Sequence, residues 1–272
     1  MARISHRICD VALCAMLATF AFSGLDAAAA GPSPLTVDGK PVDTTCLLTL
    51  ANGDSSRFDA LDLRRCHRTD IVMKHGSPDP AMIGFDYADK DDPNEPRPSY
   101  FYYRFLGPYH DHALLFIEFG GGGTGQFSRL VGVDQNGSVL KATEEIAGGD
   151  RCNGGIDNAI VSRDGLSYDE RVTPFDLIAL AGAASRLEAY KDLEASASSC
   201  VAVVHHLNKQ WISVTLSNPD FQDQTGWTEQ YRYQPCFNRI YRGYVARGET
   251  RLDRVGVARF ASTFEAACRR AR

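Results

Sequence analysis

After its first thirty residues, the 272-residue chain has no apolar run approaching the ~20 residues a membrane helix needs. No membrane span is therefore expected beyond them. It has no Cys-x-x-Cys pair, so the usual spacing of a thiolate zinc site is missing. It has no Gly-x-Ser-x-Gly elbow and no Gly-Lys-Ser/Thr, the sequence signs of an α/β-hydrolase and of a P-loop. Internal repeats and low-complexity linkers are also missing. Lysine is absent from Trp227 to Arg272, where ten arginines and four acids leave a net charge of +6. The remaining residues carry −11, which gives the whole chain its −5. Such asymmetry can mark an anionic partner. A basic tail complementing an acidic body within one fold is the simpler account, and no nucleic-acid partner is expected.

What is present begins with an N-terminal segment in signal-peptide order. Arg3 and Arg7 give a basic start, Val11 to Phe22 an apolar run of twelve residues, and Ala27 to Ala30 the small residues before a cut near Gly31. Residues 1–30 are thus expected to be a cleaved signal, and 31–272 a single exported α+β domain, periplasmic or secreted. The eight cysteines fit that compartment. Cys9 and Cys14 leave with the signal, and Cys46, Cys66, Cys152, Cys200, Cys236 and Cys268 remain as an even set. Six cysteines allow 15 connectivities. Pairing neighbours in order gives Cys46–Cys66, Cys152–Cys200 and Cys236–Cys268, each stapling a local unit.

The pattern of elements is that of a β-rich antiparallel body with helices near 174–195 and at the C-terminus. Turn dipeptides stand between apolar runs at Asp38-Gly39, Asn52-Gly53, Asn136-Gly137 and Asp164-Gly165. Tyr100 to Leu106 and Ala113 to Phe119 are aromatic and β-branched runs of strand length. Between them and the N-terminal strands, Asp86 to Pro98 holds five acids and three prolines and reads as an exposed loop. Thr173-Pro174-Phe175-Asp176 announces a helix start. Ser185 to Ala195 suggests helix only weakly. Cys200 to His206 and Trp211 to Leu216 read as a hairpin around Asn208. Phe237, Ile240, Tyr241 and Tyr244 form one helical stripe, ended by Gly248, and Val257, Phe260, Ala261, Phe264 and Cys268 form a second.

Three constellations are candidates for chemistry. Gly120 to Gly125 formally fits a dinucleotide fingerprint, but the following Gln126 to Val133 reads as strand and not as the helix such a site requires. The glycines at Gly121, Gly122 and Gly123 leave room for a ligand to approach the backbone, whose amides could form an anion nest. Asp150 and Arg151, in a glycine-rich segment around Cys152, could grip a polar ligand. His110 and His112, two apart on a presumed strand, could present two imidazoles to a divalent metal, with a third ligand such as His75, His205 or His206. Glu118 is on the same face but ~20 Å along an extended strand, too far to join them. No cofactor is expected. The chain reads first as a non-catalytic binding or accessory module of the cell envelope with an unidentified protein or small-molecule partner. A metal-dependent hydrolase built on His110 and His112 is the alternative.

Overall fold

The computed structural model describes residues 35–52, 60–65, 74–75, 79–87, 99–121, 123–182, 193–217 and 231–268. The expected signal segment, Cys66, Gly122, the proline-rich stretch 88–98 and residues 183–192 lie outside the described residues. No helix among those described is long and apolar enough to cross a membrane.

The first hairpin joins β1 (Thr36–Val37) to β2 (Lys40–Pro41) across Asp38 and Gly39, whose φ angles of 50° and 75° are those the Asp-Gly turn requires. The next apolar run, Thr45 to Ala51, reads in the sequence as a strand before the Asn52-Gly53 turn but folds otherwise. Thr44–Leu47 is a 3-10 helix that continues into α1 (Leu48–Asn52). Asp43 decides this by capping the start: Thr45 N–H donates to its Oδ1 at 2.9 Å. Leu47 and Leu50, three apart, are then both buried, which a strand would not allow.

Two antiparallel sheets follow. The larger contains β3 (Leu61–Asp62), β4 (Lys74–His75), β5 (Ile83–Tyr87), β6 (Ser99–Tyr109), β7 (His112–Gly120), β8 (Phe127–Asn136) and β9 (Val139–Asp150), in the order β3-β9-β8-β7-β6-β5-β4. The smaller contains β10 (Ile156–Ser162), β11 (Gly165–Val172), β12 (Ala202–Leu207), β13 (Gln210–Leu216) and β14 (Arg251–Leu252), in sequence order. Two turns sit one residue from where the dipeptides suggest. Asn136 pairs with Val139, so the β8–β9 turn is Gly137-Ser138; Ser162 pairs with Gly165, so the β10–β11 turn is Arg163-Asp164. The β12–β13 turn is Asn208-Lys209, with φ of 49° and 65°.

Alternation along the strands sorts side chains into three cores. Phe101, Tyr103, Leu115, Ile117, Val131 and Val133 pack on one face of the larger sheet with Leu47 and Leu50. Leu114, Phe116 and Leu130, on the other face, meet Ile156, Leu166 and Tyr168 of the smaller sheet. The same face of the smaller sheet continues through Val172, Val204, Val214 and Leu216 under the helices. Those are α2 (Pro174–Ala179), α3 (Gln234–Ala246) and α4 (Arg254–Cys268). Helix α2 opens on the expected box: Asp176 N–H donates to Thr173 Oγ1 while the Asp176 side chain accepts from Thr173 N–H. The two stripes meet as an aromatic cluster in which Phe237, Phe260, Phe264 and Tyr244 contact edge to face at 4.9–6.0 Å.

Disulfides join Cys152 to Cys200 and Cys236 to Cys268, the pairs expected from sequence order. The second ties the start of α3 to the end of α4. Cys46 is buried and disulfide-bonded.

Candidate functional site

Strand β10, at the edge of the smaller sheet, crosses the face of the larger one. Two hydrogen bonds fix the crossing: Ile156 N–H donates to Ser128 Oγ at 2.5 Å, and Arg104 Nη2 donates to the Ala159 carbonyl at 2.8 Å. Beside it opens a cleft of about 120 Å³, lined by Tyr100, Glu118, Gln126, Phe127, Ser128, Arg151, Gly155, Ile156, Asp157 and Arg171.

One wall is the end of the β7–β8 hairpin. Its glycines make room for rings. A Cβ on Gly120 would stand 2.6 Å from the Tyr100 ring, and one on Gly125 2.7 Å from the Phe127 ring. Phe127 stacks on Phe119 at 5.2 Å and keeps 37% of its surface exposed. Gly121 and Gly123 stand in open space, and Gly122 lies outside the described residues.

The opposite wall is the turn after β9. Gly148, Gly149 and Asp150 still belong to the strand, so the expected loop narrows to Arg151–Gly155. Arg151 adopts φ of +45°, and Gly155 N–H donates to its carbonyl at 2.9 Å. The turn is too tight for side chains at two positions: a Cβ on Gly149 would lie 2.0 Å from the Asn153 carbonyl, and one on Gly155 2.2 Å from that of Arg151. The two sequence candidates meet here. Gln126 N–H donates to Asp150 Oδ1 at 3.0 Å, and Arg151 N–H donates to the Gln126 carbonyl at 3.0 Å. Cys152 anchors the turn to Cys200 and donates its N–H to Ala197.

The charges of the cleft are mostly committed to one another. Arg151 holds Asp150 through two bonds of 3.0 and 3.2 Å. Arg171 Nε bonds Asp157. Behind them Arg104 holds Asp79 at 2.6 Å. Glu118 is the exception. It projects from β7 between its cross-strand neighbours Tyr102 and Ser128, half-buried, and no hydrogen-bond donor among the described residues reaches it. Burial pushes its carboxyl above the usual carboxylate range, and Asp157 adds to the rise while Arg104 opposes it. Sequence reasoning had placed Glu118 only as an unreachable metal ligand.

The histidine pair does not form the arrangement expected of it. His110 sits in the β6–β7 turn at φ +53°, exposed, while His112 begins β7, so they do not share a strand face. His112 Nε2 lies 3.0 Å from Glu144 Oε1, and Lys209 Nζ reaches the other oxygen of Glu144 at 2.6 Å. No group of three or more His, Cys, Asp or Glu residues suited to a metal occurs among the described residues. His205 and His206 are also matched to carboxylates across strands. His206 pairs with Glu170 at 2.8 Å and stacks on Tyr168. His205 Nδ1 lies 2.6 Å from Asp169 Oδ1, and its Nε2 2.8 Å from Thr215 Oγ1. Asn158 steadies the carboxylate with a 2.9 Å bond. With the carboxylate ionised and the imidazole neutral, Nδ1 donates to Asp169 and Nε2 accepts from the threonine. Asp169, His205 and Thr215 stand on three adjacent strands, β11, β12 and β13. Strand register, which no local pattern in the sequence specifies, brings them together.

No known family, curated protein or solved structure matches the chain.

Proposed function

We propose that the chain is an exported precursor whose mature form is a non-catalytic binding or accessory module of the cell envelope, and that the cleft beside β10 is its recognition site. The single observation behind this reading is the cleft itself: the Tyr100 ring, amides and a carboxylate without a hydrogen-bond donor among the described residues line one concavity. Disulfides between Cys152 and Cys200 and between Cys236 and Cys268 support passage through an oxidising compartment. Two measurements test the proposal. Intact mass of the exported protein should match a chain cut near Gly31 with its cysteines oxidised. A fragment screen by amide NMR should gather its hits on Gln126, Ser128, Gly155 and Asp157. Retained residues 1–30, or hits scattered with none at the cleft, would refute the corresponding half.

A second reading rests on the Asp169–His205–Thr215 chain. Carboxylate, imidazole and hydroxyl in that order activate a hydroxyl for acyl transfer. It requires ester turnover, for example of p-nitrophenyl acetate, that is lost in both His205→Ala and Thr215→Val. Equal rates in the native protein and Thr215→Val exclude it. The metal-dependent alternative loses its stated basis with the separation of His110 from the strand face of His112.

A further inference from the structure

We infer that the group recognised in the cleft is a cation, an alkylammonium or guanidinium, with Glu118 as its counter-ion and the Tyr100 ring beside it. The inference rests on the reading of the cleft as a recognition site and adds the chemistry of what enters it.

Four charged side chains line the cleft: Glu118, Arg151, Asp157 and Arg171. Both arginines are already held by carboxylates, Arg151 by Asp150 and Arg171 by Asp157. An anion entering the cleft would have to compete with those pairs and would face Glu118, on which the pull of Arg104 and Arg171 is set against the push of Asp157 and Asp79. A cation meets the opposite situation. Glu118 offers both oxygens, desolvated by its position between the sheets and without a donor among the described residues. A desolvated carboxylate gains most from a donor that also carries charge. Tyr100, on the same strand face as Glu118, points the same way, because ring faces attract cations and leave alkyl groups in apolar contact. Size narrows the class further. A volume of about 120 Å³ falls well short of the ~300 Å³ at which sites for whole small molecules begin. The cleft therefore takes the charged end of a chain: a free alkylamine, or a lysine or arginine side chain of a partner peptide.

The test uses the oxidised mature protein, labelled for amide NMR and with the glutamate carboxyl carbons also labelled. It is titrated separately with n-butylammonium chloride, sodium butyrate and n-butanol, each against the same ionic strength of sodium chloride. Butylammonium should shift the amides of Gln126, Ser128, Gly155 and Asp157 and the carboxyl carbon of Glu118 to saturation; the other two should not. Glu118→Gln should weaken the effect about tenfold or more, the loss of a charged hydrogen bond. If that variant does not fold, Tyr100→Leu provides the same comparison, and the Glu118 carbon of the native protein reports contact directly. Nα-acetyl-lysine N-methylamide distinguishes the sources: binding tighter than butylammonium favours a peptide side chain, weaker binding a free amine. Butyrate or butanol shifting the same amides in place of butylammonium overturns the cationic ligand and leaves the recognition site standing. No saturable shift at the cleft with any probe overturns both.

Discussion

Replacing Cys152 and Cys200 together by alanine removes the bridge that fixes the Arg151–Gly155 turn, and its cost can be worked from the chain. The bridged residues are 48 apart in sequence. Closing a loop of that length removes about 4 kcal/mol of conformational freedom from the unfolded chain. For a chain of this size each kcal/mol lowers the melting temperature by about 2–4 °C, so the double variant should melt about 8–16 °C lower. The loss is not confined to global stability. Cys152 sits between Arg151 and the glycines at the cleft wall, and Cys200 lies just before β12. The variant should therefore also show faster amide exchange across 151–155 than the native protein at equal distance below its melting point. Urea unfolding under oxidising conditions gives the free energy, and hydrogen exchange gives the local effect. A double variant within about 1 kcal/mol of the native protein would refute the argument, since the entropic term would then be cancelled in the native state.

Three further outcomes follow from the structure. Glu118 titrates above the ordinary range in the folded protein, so it favours folding while protonated and that contribution is lost as pH rises through the raised value. Glu118→Gln should accordingly melt higher than the native protein at neutral pH, with the difference shrinking in mild acid; equal melting at both would contradict the burial argument. Phe260→Ala, at the fully buried centre of the α3–α4 cluster, should cost about 3–5 kcal/mol in urea unfolding. Gly155→Ala would place a methyl carbon 2.2 Å from a backbone carbonyl and should destabilise by more than about 1 kcal/mol, with loss of amide protection in the turn. An unchanged exchange pattern there would mean the backbone relaxes freely.

Much of the fold is legible in the sequence because its signals are local. The aromatic run of β6, the capping residues Thr173 and Asp176, and the stripe of Phe260, Ala261 and Phe264 each declare an element without reference to anything distant. The failures are also local in cause. Thr45 to Asn52 satisfies a strand pattern and a helix pattern alike, and the Asp43 cap settles the matter. The cleft is another case. Glu118, Asp157 and Arg171 come from three strands of two sheets, and only pairing register and sheet crossing bring them together. In sequence the glycine loop and Asp150-Arg151 are unrelated candidates; Gln126, which follows the loop, donates its N–H to the Asp150 side chain and accepts from Arg151 N–H. It gave no sign that Gly120 and Gly125 are glycines on account of the rings beside them.

Strands β4 to β9 each lie beside their sequence neighbour, and β10 to β14 do the same, with β3 alone returning across the larger sheet to β9. Most new strands thus find their partner in the strand made just before, and four of these pairings, β6–β7, β8–β9, β10–β11 and β12–β13, close two-residue turns that form quickly for a β-protein. A chain emerging one end first can zip up strand by strand without waiting for its C-terminus. Helix α4, and the cysteine at position 268 that ties it to α3, arrive last, after every strand of the sheet they cover.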